Sequence, residues 1–155
     1  MTSAPVRDPL NDHFLTPQNA AFLFIDYQPS QLATIRSMDP ALLLKNAVST
    51  VKTIKAFGVP VVHSTVNVAV GQGPTLPELA ELLTDDKPLD RTTVNSWEDV
   101  EFVQAVHATG RRKLVICALW TRSSRGQRVH RARVETTRQF PLRTPHICQL
   151  PRSSA

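Results

Sequence analysis

The chain has 155 residues, a length that fits one domain with a moderate hydrophobic core. Its formal net charge is +5, and no apolar stretch approaches the roughly 18 residues that a membrane-spanning helix needs. Two cysteines are too few for a disulfide scaffold, and the polar N-terminus does not resemble an apolar signal sequence. Together these features predict a cytoplasmic protein without a membrane partner.

The positive charge is concentrated at one end of the chain. Residues 1–121 carry ten Lys or Arg and twelve Asp or Glu, whereas residues 122–155 carry eight Arg, no Lys and the single acid Glu135. A basic segment raises nucleic acid as a partner. Specific nucleic-acid binding is still not favoured, because the segment has one aromatic residue for stacking and no recognised binding motif.

The first part of the chain begins with a polar arm and a strand. Residues 1–19 contain three prolines and are predicted to form a loose N-terminal arm. The unbroken apolar run Ala20–Ile25 is typical of a strand buried on both faces, as in a parallel sheet, and it ends at Asp26. Residues 28–37 are predicted to form a loop.

A long helix is predicted over residues 39–57. Asp39 suits the N-cap and Pro40 the first helical position, while Gly58 is a natural stop. One face of this helix collects the apolar residues Leu44, Ala47, Val48, Val51 and Ile54. The pattern is that of a surface helix with one face on a core.

The next segments continue the alternation of strand and helix. Residues 59–65 predict a second strand, residues 76–83 a short helix and residues 84–91 a polar connection. A helix follows over residues 97–109, capped by Asn95 or Ser96 and ended by Gly110, with an apolar stripe of Phe102, Val103 and Val106. A third strand is predicted over residues 114–119.

Three strands separated by helices indicate an α/β fold. The expected architecture is a doubly wound, Rossmann-like parallel sheet with crossover helices, truncated after the third strand. From Arg122 onward the aliphatic residues are isolated and fit neither the helix nor the strand period, which predicts a largely disordered basic tail. The chain therefore divides into an arm (1–19), a partial domain (20–121) and an Arg-rich tail (122–155).

Four segments within residues 14–121 together carry a family resemblance. They are the strand end Phe24-Ile25-Asp26-Tyr27-Gln28, the second strand from Pro60 to Thr65, the block from Asp90 to Trp97, and the strand end from Ala118 to Thr121. As a set they resemble the isochorismatase-like cysteine hydrolases, a superfamily that includes isochorismatases, nicotinamidases and N-carbamoylsarcosine amidases. The resemblance implies a doubly wound α/β fold and hydrolysis of a small amide, ester or vinyl-ether substrate by a catalytic Asp, Lys and Cys.

The resemblance implies catalytic roles at three positions of this chain. Asp26 matches the acid that takes the proton from the thiol and later delivers it to the leaving group. Arg91 matches the basic position, which often holds Lys; an arginine can stabilise negative charge but does not readily exchange protons. Ser124 stands where the family has its nucleophilic Cys, and a hydroxyl is the weaker nucleophile. Activity of this chain is therefore expected to be impaired.

Structural interpretations stay open for these residues. Asp26 could be a loop or capping acid, and Arg91 a surface arginine paired with Asp90 or Asp99. The resemblance also implies substrate-binding roles for Gln28, Trp97 and Thr121. On residue type alone, core packing is the favoured role for Trp97.

Other chemistry-bearing residues are expected to have structural roles. His63 ends a strand, where a satisfied structural histidine is expected, and Cys117 lies in an apolar run as a small buried hydrophobe. Nothing reproduces the Asp/His metal cluster of nicotinamidases, so we expect no metal and no cofactor. The expected partner is a small-molecule substrate, and relatives that self-associate suggest a homo-oligomer.

Two further functions compete with a hydrolase. One is a catalytically inactive relic or interaction protein on the same fold, in which a turnover assay would find no activity with or without Asp26. The other is a nucleic-acid binder that uses the basic tail, which predicts salt-sensitive DNA binding that disappears when residues 122–155 are deleted.

The change of character after Thr121 suggests a hypothesis about the tail. The loss of periodicity, the complete replacement of Lys by Arg and the enrichment in Ser, Thr, Pro and Gln are typical of a shifted reading frame or an alternative terminal exon. The alternative is a natural Arg-rich extension that binds anions or serves as an anchor. The coding DNA tests the reading-frame hypothesis. It fails if neither alternative frame after codon 121 encodes an apolar strand–helix pattern that opens with a Cys-containing turn.

Overall fold

The computed structural model describes residues 14–119, together with the backbone of residues 121–122, 128–129 and 133–137. Its central sheet contains four parallel strands: β1 (Ala20–Ile25), β2 (Val61–Val66), β3 (Leu89–Arg91) and β4 (Lys113–Ala118). Their spatial order is β3-β2-β1-β4. Each neighbouring pair runs parallel, which confirms the predicted α/β fold.

Within the described part of the chain, four α-helices accompany the sheet: α1 (Pro29–Leu32), α2 (Pro40–Ala56), α3 (Pro77–Ala80) and α4 (Val100–Ala108). One hydrophobic cluster joins Phe22 and Phe24 of β1 to residues of α2 and to Leu79 of α3. A second cluster joins Leu23 of β1 to residues of α4, including Phe102. Alternate residues of β1 thus belong to two separate cores, which is the doubly wound arrangement. Within the described residues, no helix is both long and apolar enough to cross a membrane.

The central position of β1 explains its unbroken apolar sequence. Residues 20–24 are all buried, since β1 pairs with β2 on one side and β4 on the other and carries a core on each face. By contrast, Val115, Ile116 and Ala118 of β4 are half-buried. Helical cover is therefore complete over the middle of the sheet and thinner over β4.

Helix α2 forms as the sequence predicts. The Asp39 side chain accepts a hydrogen bond from Leu42 N at 2.9 Å, and Pro40 occupies the first helical position. The buried residues of this helix, Leu43, Ala47 and Val51, recur every four positions, with Leu44, Val48 and Ile54 half-buried beside them. The predicted apolar face is thus correct except that its centre includes Leu43.

Three local predictions are wrong. Residues 84–91 do not form a polar connection throughout, because Leu89–Arg91 pairs with β2 as a fourth parallel strand. The predicted loop over residues 28–37 contains the short helix α1. Helix α4 begins after Asp99, whose side chain accepts from Phe102 N at 2.9 Å, whereas Asn95 caps a separate 3₁₀ turn over residues 96–98. The strand over residues 89–91 and helix α1 are too short to show a periodic pattern, and the start of α4 lies too close to a second capping residue for the pattern to locate it.

Two antiparallel pairings involve the Arg-rich segment. Strands β5 (Thr121–Arg122) and β6 (Arg128–Val129) pair with each other, and β7 (Arg133–Thr137) pairs with the outer edge of β4. Sequence periodicity does not predict these strands. A strand edge pairs through its backbone N–H and C=O groups, and such pairing does not require an alternating side-chain pattern. The remaining residues of 122–155 lie outside the described residues, and disorder there stays a prediction.

Part of the predicted N-terminal arm is attached to the sheet. Asn19 and Thr16 exchange hydrogen bonds between side chain and backbone, which closes a turn just before β1. Lys113 Nζ donates to the carbonyl of Phe14 at 2.5 Å. Residues 14–19 are therefore ordered against the start of β4, and residues 1–13 lie outside the described residues.

Candidate active site

The candidate site lies where β1 and β3 end, at the carboxyl edge of the parallel sheet. Asp26 directly follows β1 and has φ of 60°, a left-handed conformation in which Asp is one of the better tolerated residues. Its N–H donates to Ser64 O of β2 at 3.0 Å, and its carbonyl accepts from Gln28 N at 2.9 Å. These bonds hold a backbone conformation that costs about 1–2 kcal/mol. They turn the chain away from the sheet at the carboxyl ends of the strands, which is where open α/β sheets place their functional residues.

Arg91 ends β3 and reaches across to Asp26. Its Nη2 donates to Asp26 Oδ2 at 2.5 Å, which makes an ion pair between residues 65 positions apart. Its Nη1 donates to the carbonyls of Thr93 and Val94. The Arg91 side chain is 1% exposed and that of Asp26 is 17% exposed. Arg91 is therefore a buried partner of Asp26, not a surface residue paired with Asp90 or Asp99.

The surroundings of Asp26 make its carboxylate more basic than a free one. Burial raises the pKa of Asp26 above its ordinary value of 3.8, the charge and hydrogen bond of Arg91 oppose that rise, and the nearby Asp90 adds to it. Among the described residues, Asp26 Oδ1 and Arg91 Nε are buried without a hydrogen-bond partner. The pair thus combines a basic carboxylate with hydrogen-bonding capacity that the described residues leave unused.

Gln28 supports the loops around this edge. Its Nε2 donates to Val66 O at 3.0 Å and to Gly73 O at 2.6 Å, while its Oε1 accepts from Val66 N at 2.9 Å. The side chain is fully buried. With these bonds made, Gln28 joins the end of β2 to the loop before α3, and its predicted contact with substrate stays a prediction.

The other predicted site residues are placed less completely. Trp97 is 39% exposed and meets the ring of Phe102 edge-on at 5.7 Å, so it is not a core residue. Thr121 begins β5, but its side chain is not among those described. Ser124 lies outside the described residues. The structure therefore brings Asp26 and Arg91 together and leaves the nucleophile's place as a prediction.

Two buried groups near β1 have structural partners. The Cys117 thiol and the Tyr27 hydroxyl lie 2.9 Å apart, and burial raises the pKa of both groups. His63 Nε2 lies 2.9 Å from Thr75 Oγ1 and Nδ1 lies 3.3 Å from Asp86 O. Cys117 is thus the buried small residue that the sequence predicts, and His63 a satisfied histidine. The Tyr27 contact was not predicted, since nothing in the sequence pairs residues 90 positions apart.

Metal binding finds no support in the described part of the chain. Within residues 14–119, no three His, Cys, Asp or Glu side chains are grouped so that they could hold an ion. Asp26 and Arg91 bring a carboxylate and a guanidinium to this edge.

The parallel sheet with this carboxylate–guanidinium pair at its carboxyl edge defines an α/β domain with a candidate site, and comparison with known proteins assigns its family. Residues 20–126 match the Isochorismatase domain, and the chain belongs to the isochorismatase-like hydrolase family. The matched span includes Asp26, Arg91 and the position of Ser124.

The curated relative and solved structures are similar over about half of their own length. The probable hydrolase YcaC of Escherichia coli K12 is 31% identical over 108 residues, which are 69% of this chain and 52% of that protein. YcaC from Pseudomonas aeruginosa, solved with hexane-2,5-diol and covalent acrylamide, aligns with a TM-score of 0.64 and 31% identity over 66% of this chain and 52% of that one. The E. coli YcaC structure, described as an octameric hydrolase of unknown specificity, aligns with a TM-score of 0.64 and 30% identity over 75% of this chain and 54% of that one.

Proposed function

We propose that Asp26 is the acid–base residue, and Arg91 its charged partner, in a hydrolase site that acts on a small amide, ester or vinyl-ether substrate. The observation that supports this most directly is the 2.5 Å ion pair between them at the carboxyl edge of the sheet. A base must be close to the proton that it takes and basic enough to hold it. Asp26 satisfies the second condition because burial raises its pKa.

For an amide substrate, the proposed chemistry has two steps. The nucleophile bonds to the carbonyl carbon while its proton passes to Asp26, and the C–N bond then breaks as Asp26 returns that proton to the leaving nitrogen. Water next attacks the acyl-enzyme, and its proton passes through Asp26 to the nucleophile as the acid leaves. Arg91 keeps its charge throughout, so it holds Asp26 in position and stabilises negative charge without donating a proton.

We further propose that this chain turns over its substrate slowly. The resemblance aligns Ser124 with the family's nucleophilic Cys, and the matched span, residues 20–126, includes this position. A thiol is partly ionised near neutral pH, whereas a serine hydroxyl needs a well-placed base to lose its proton during the reaction. Asp26 would be present to accept the proton, but this chain would lack the strongly nucleophilic thiol at position 124.

A turnover assay on a panel of small carboxamides tests both proposals. We expect Ser124→Cys to raise kcat/KM at least about tenfold over the wild-type chain, and Asp26→Ala in that background to lower it by about 10²–10⁴. Turnover of the Ser124→Cys variant should also decline as the pH falls through the pKa of Asp26, which lies above 3.8, since only the carboxylate accepts a proton.

The opposite results separate the rival functions. A folded Ser124→Cys variant with no turnover would support an inactive relic or interaction protein on this fold. Activity that survives Asp26→Ala would show that another residue is the base. Ser49→Ala, on the exposed side of α2, is the matched control and should leave turnover unchanged.

A further inference from the structure

The end of β2 has backbone groups that β1 does not satisfy. The last pair in the β1–β2 ladder is Ile25 with Ser64, and a final bond runs from Asp26 N to Ser64 O. Successive strand residues direct their backbone N–H and C=O groups to opposite sides, so Val66, two residues after Ser64, also faces the β1 side. The chain has turned away there, since Asp26 has φ of 60°. Val66 is buried, and its two backbone groups therefore need another partner.

The side chain of Gln28 is that partner. Its Oε1 accepts from Val66 N at 2.9 Å and its Nε2 donates to Val66 O at 3.0 Å, so one amide replaces both bonds that a neighbouring strand would make. Nε2 also donates to Gly73 O at 2.6 Å. These partners fix which way the amide points, because the opposite orientation would place Oε1 against two carbonyls.

Gln28 is connected in this way to both members of the ion pair. Its backbone N–H donates to Asp26 O at 2.9 Å. Its side chain holds Val66, which pairs with Arg91 in the β2–β3 ladder, and the next residue, Asn67, donates its N–H to Arg91 O at 2.9 Å. A short path of backbone contacts from Asp26 to Arg91 therefore runs through the Gln28 amide.

The same bonds leave Gln28 little to offer a substrate. Its side chain is fully buried, and Nε2 is already shared between two carbonyls, although the family resemblance implies substrate binding at this position. On the premise that the proposed function locates the site correctly, we propose that Gln28 is a positioning residue. Its amide takes the place of a β1 residue beside Val66, holds Asp26 and Arg91 at the distance at which they pair, and does not contact substrate.

Amide hydrogen exchange in the full-length chain at pH 7, resolved by NMR, tests the proposal without any turnover. Gln28→Met keeps the length of the side chain but removes its amide. We expect exchange at Val66 N–H and Asn67 N–H to accelerate at least about tenfold more than at Phe22 N–H, which lies in the buried β1 and reports global unfolding. A rise no larger than that at Phe22, or one confined to Val66, would overturn the proposal, because the β2–β3 ladder would then be held without Gln28.

Gln72→Met is the matched control, since it removes the same group from the residue next to Gly73. The Gln72 Oε1 accepts from the side chains of Ser30 and Gln31 in α1. Its ratio of exchange rates should equal that of wild type. A change as large as in Gln28→Met would show that any loosening of this loop has the effect, and would refute the role given to Gln28.

A second variant, Gln28→Glu, covers the case in which Gln28→Met does not fold. It keeps an acceptor for Val66 N but places an oxygen where Nε2 now faces the carbonyls of Val66 and Gly73. It should accelerate exchange at Asn67 relative to Phe22 in the same direction, and a ratio equal to that of wild type would overturn the proposal.

Kinetics in the Ser124→Cys background distinguish positioning from substrate contact. We expect Gln28→Met to lower kcat at least about tenfold while KM changes less than about threefold, because a misplaced base slows the chemical step more than it weakens binding. A raised KM with unchanged kcat would assign substrate contact to Gln28 and refute the proposal. The expected exchange pattern together with an inactive Ser124→Cys variant would refute the hydrolase function alone; turnover that Gln28→Met does not alter would refute this inference alone.

Discussion

At the scale of single residues, the ion pair between Asp26 and Arg91 is the feature on which the site depends. Neither composition nor periodicity brings these residues together, because 65 positions separate them. The family resemblance identified both, and the parallel register that places Arg91 opposite Val66 beside the end of β1 explains how they meet. The same geometry decides that Arg91 is buried, which its residue type alone does not favour.

Breaking this pair should destabilise the protein. Arg91→Gln leaves a desolvated carboxylate without its cation, and we expect the free energy of unfolding to fall by about 3 kcal/mol. Adding Asp26→Asn should recover part of that loss, since the double variant no longer buries an unpaired charge. Urea denaturation followed by circular dichroism measures both values.

The control for this pair is Arg36→Gln at an exposed position, which should change stability by less than about 0.5 kcal/mol. If the effects of Asp26→Asn and Arg91→Gln add without coupling, the two residues do not stabilise each other in solution.

At the scale of elements, His63 shows how a strand is joined to the loops beside it. Its ring lies 5.8 Å from that of Phe24 in β1, and its two nitrogens contact Thr75 before α3 and the backbone of Asp86 before β3. One buried side chain thus connects β2 to a neighbouring strand and to both ends of the segment that leads to β3. The sequence indicated a structural histidine, whereas its partners are set by the path of that segment.

The burial of His63 predicts a pH dependence of stability. Burial lowers the pKa of His63 below 6.5, opposed by Asp86, so the unfolded chain binds a proton that the folded chain does not. Stability should consequently decrease as the pH falls below 6.5, by at most about 1.4 kcal/mol per pH unit from this group. Urea denaturation between pH 7 and 5 measures the slope.

His63→Gln should reduce this slope, whereas His107→Gln, at an exposed position in the last turn of α4, should preserve it. A slope that is the same in His63→Gln and wild type would assign the pH dependence to other groups.

Elements differ in how well the sequence predicts them. The strand β1 and the helix α2 are long and have a strong pattern or cap, so their bounds agree closely with prediction. The strand β3 has three residues, too few for a period, and exists because β2 offers its backbone groups to Leu89–Arg91. The missed strand is also the one that ends in Arg91, which is why the sequence alone could not show how this residue reaches the site.

At the scale of the whole molecule, cover over the sheet is uneven. Residues 20–24 of β1 are buried on both faces, while Val115 and Ile116 of β4 are half-buried and the described outer partner of β4 is the antiparallel β7. The chain spans about half the length of its YcaC relatives. Half-buried aliphatic residues on a thinly covered part of a sheet favour self-association.

We therefore expect the purified chain to have a molar mass above the 17.2 kDa of a monomer by size-exclusion chromatography with light scattering. Ile116→Glu should shift the distribution towards monomer, because it places a charge on the half-buried side of β4. Ser49→Glu, on the exposed side of α2, should not. A wild-type chain that is monomeric and folded at high concentration would contradict the expectation.

The sequence by itself determined the α/β class, the central strand and the long capped helix, and it pointed to Asp26 and Arg91 as candidate site residues, because these depend on local pattern or on a motif within a few residues. The tertiary structure decided which charge is covered, what Gln28 and His63 bind, and that Leu89–Arg91 is a strand. Those outcomes depend on backbone partners that lie tens of residues away, and burial and hydrogen bonding are properties of the assembled sheet.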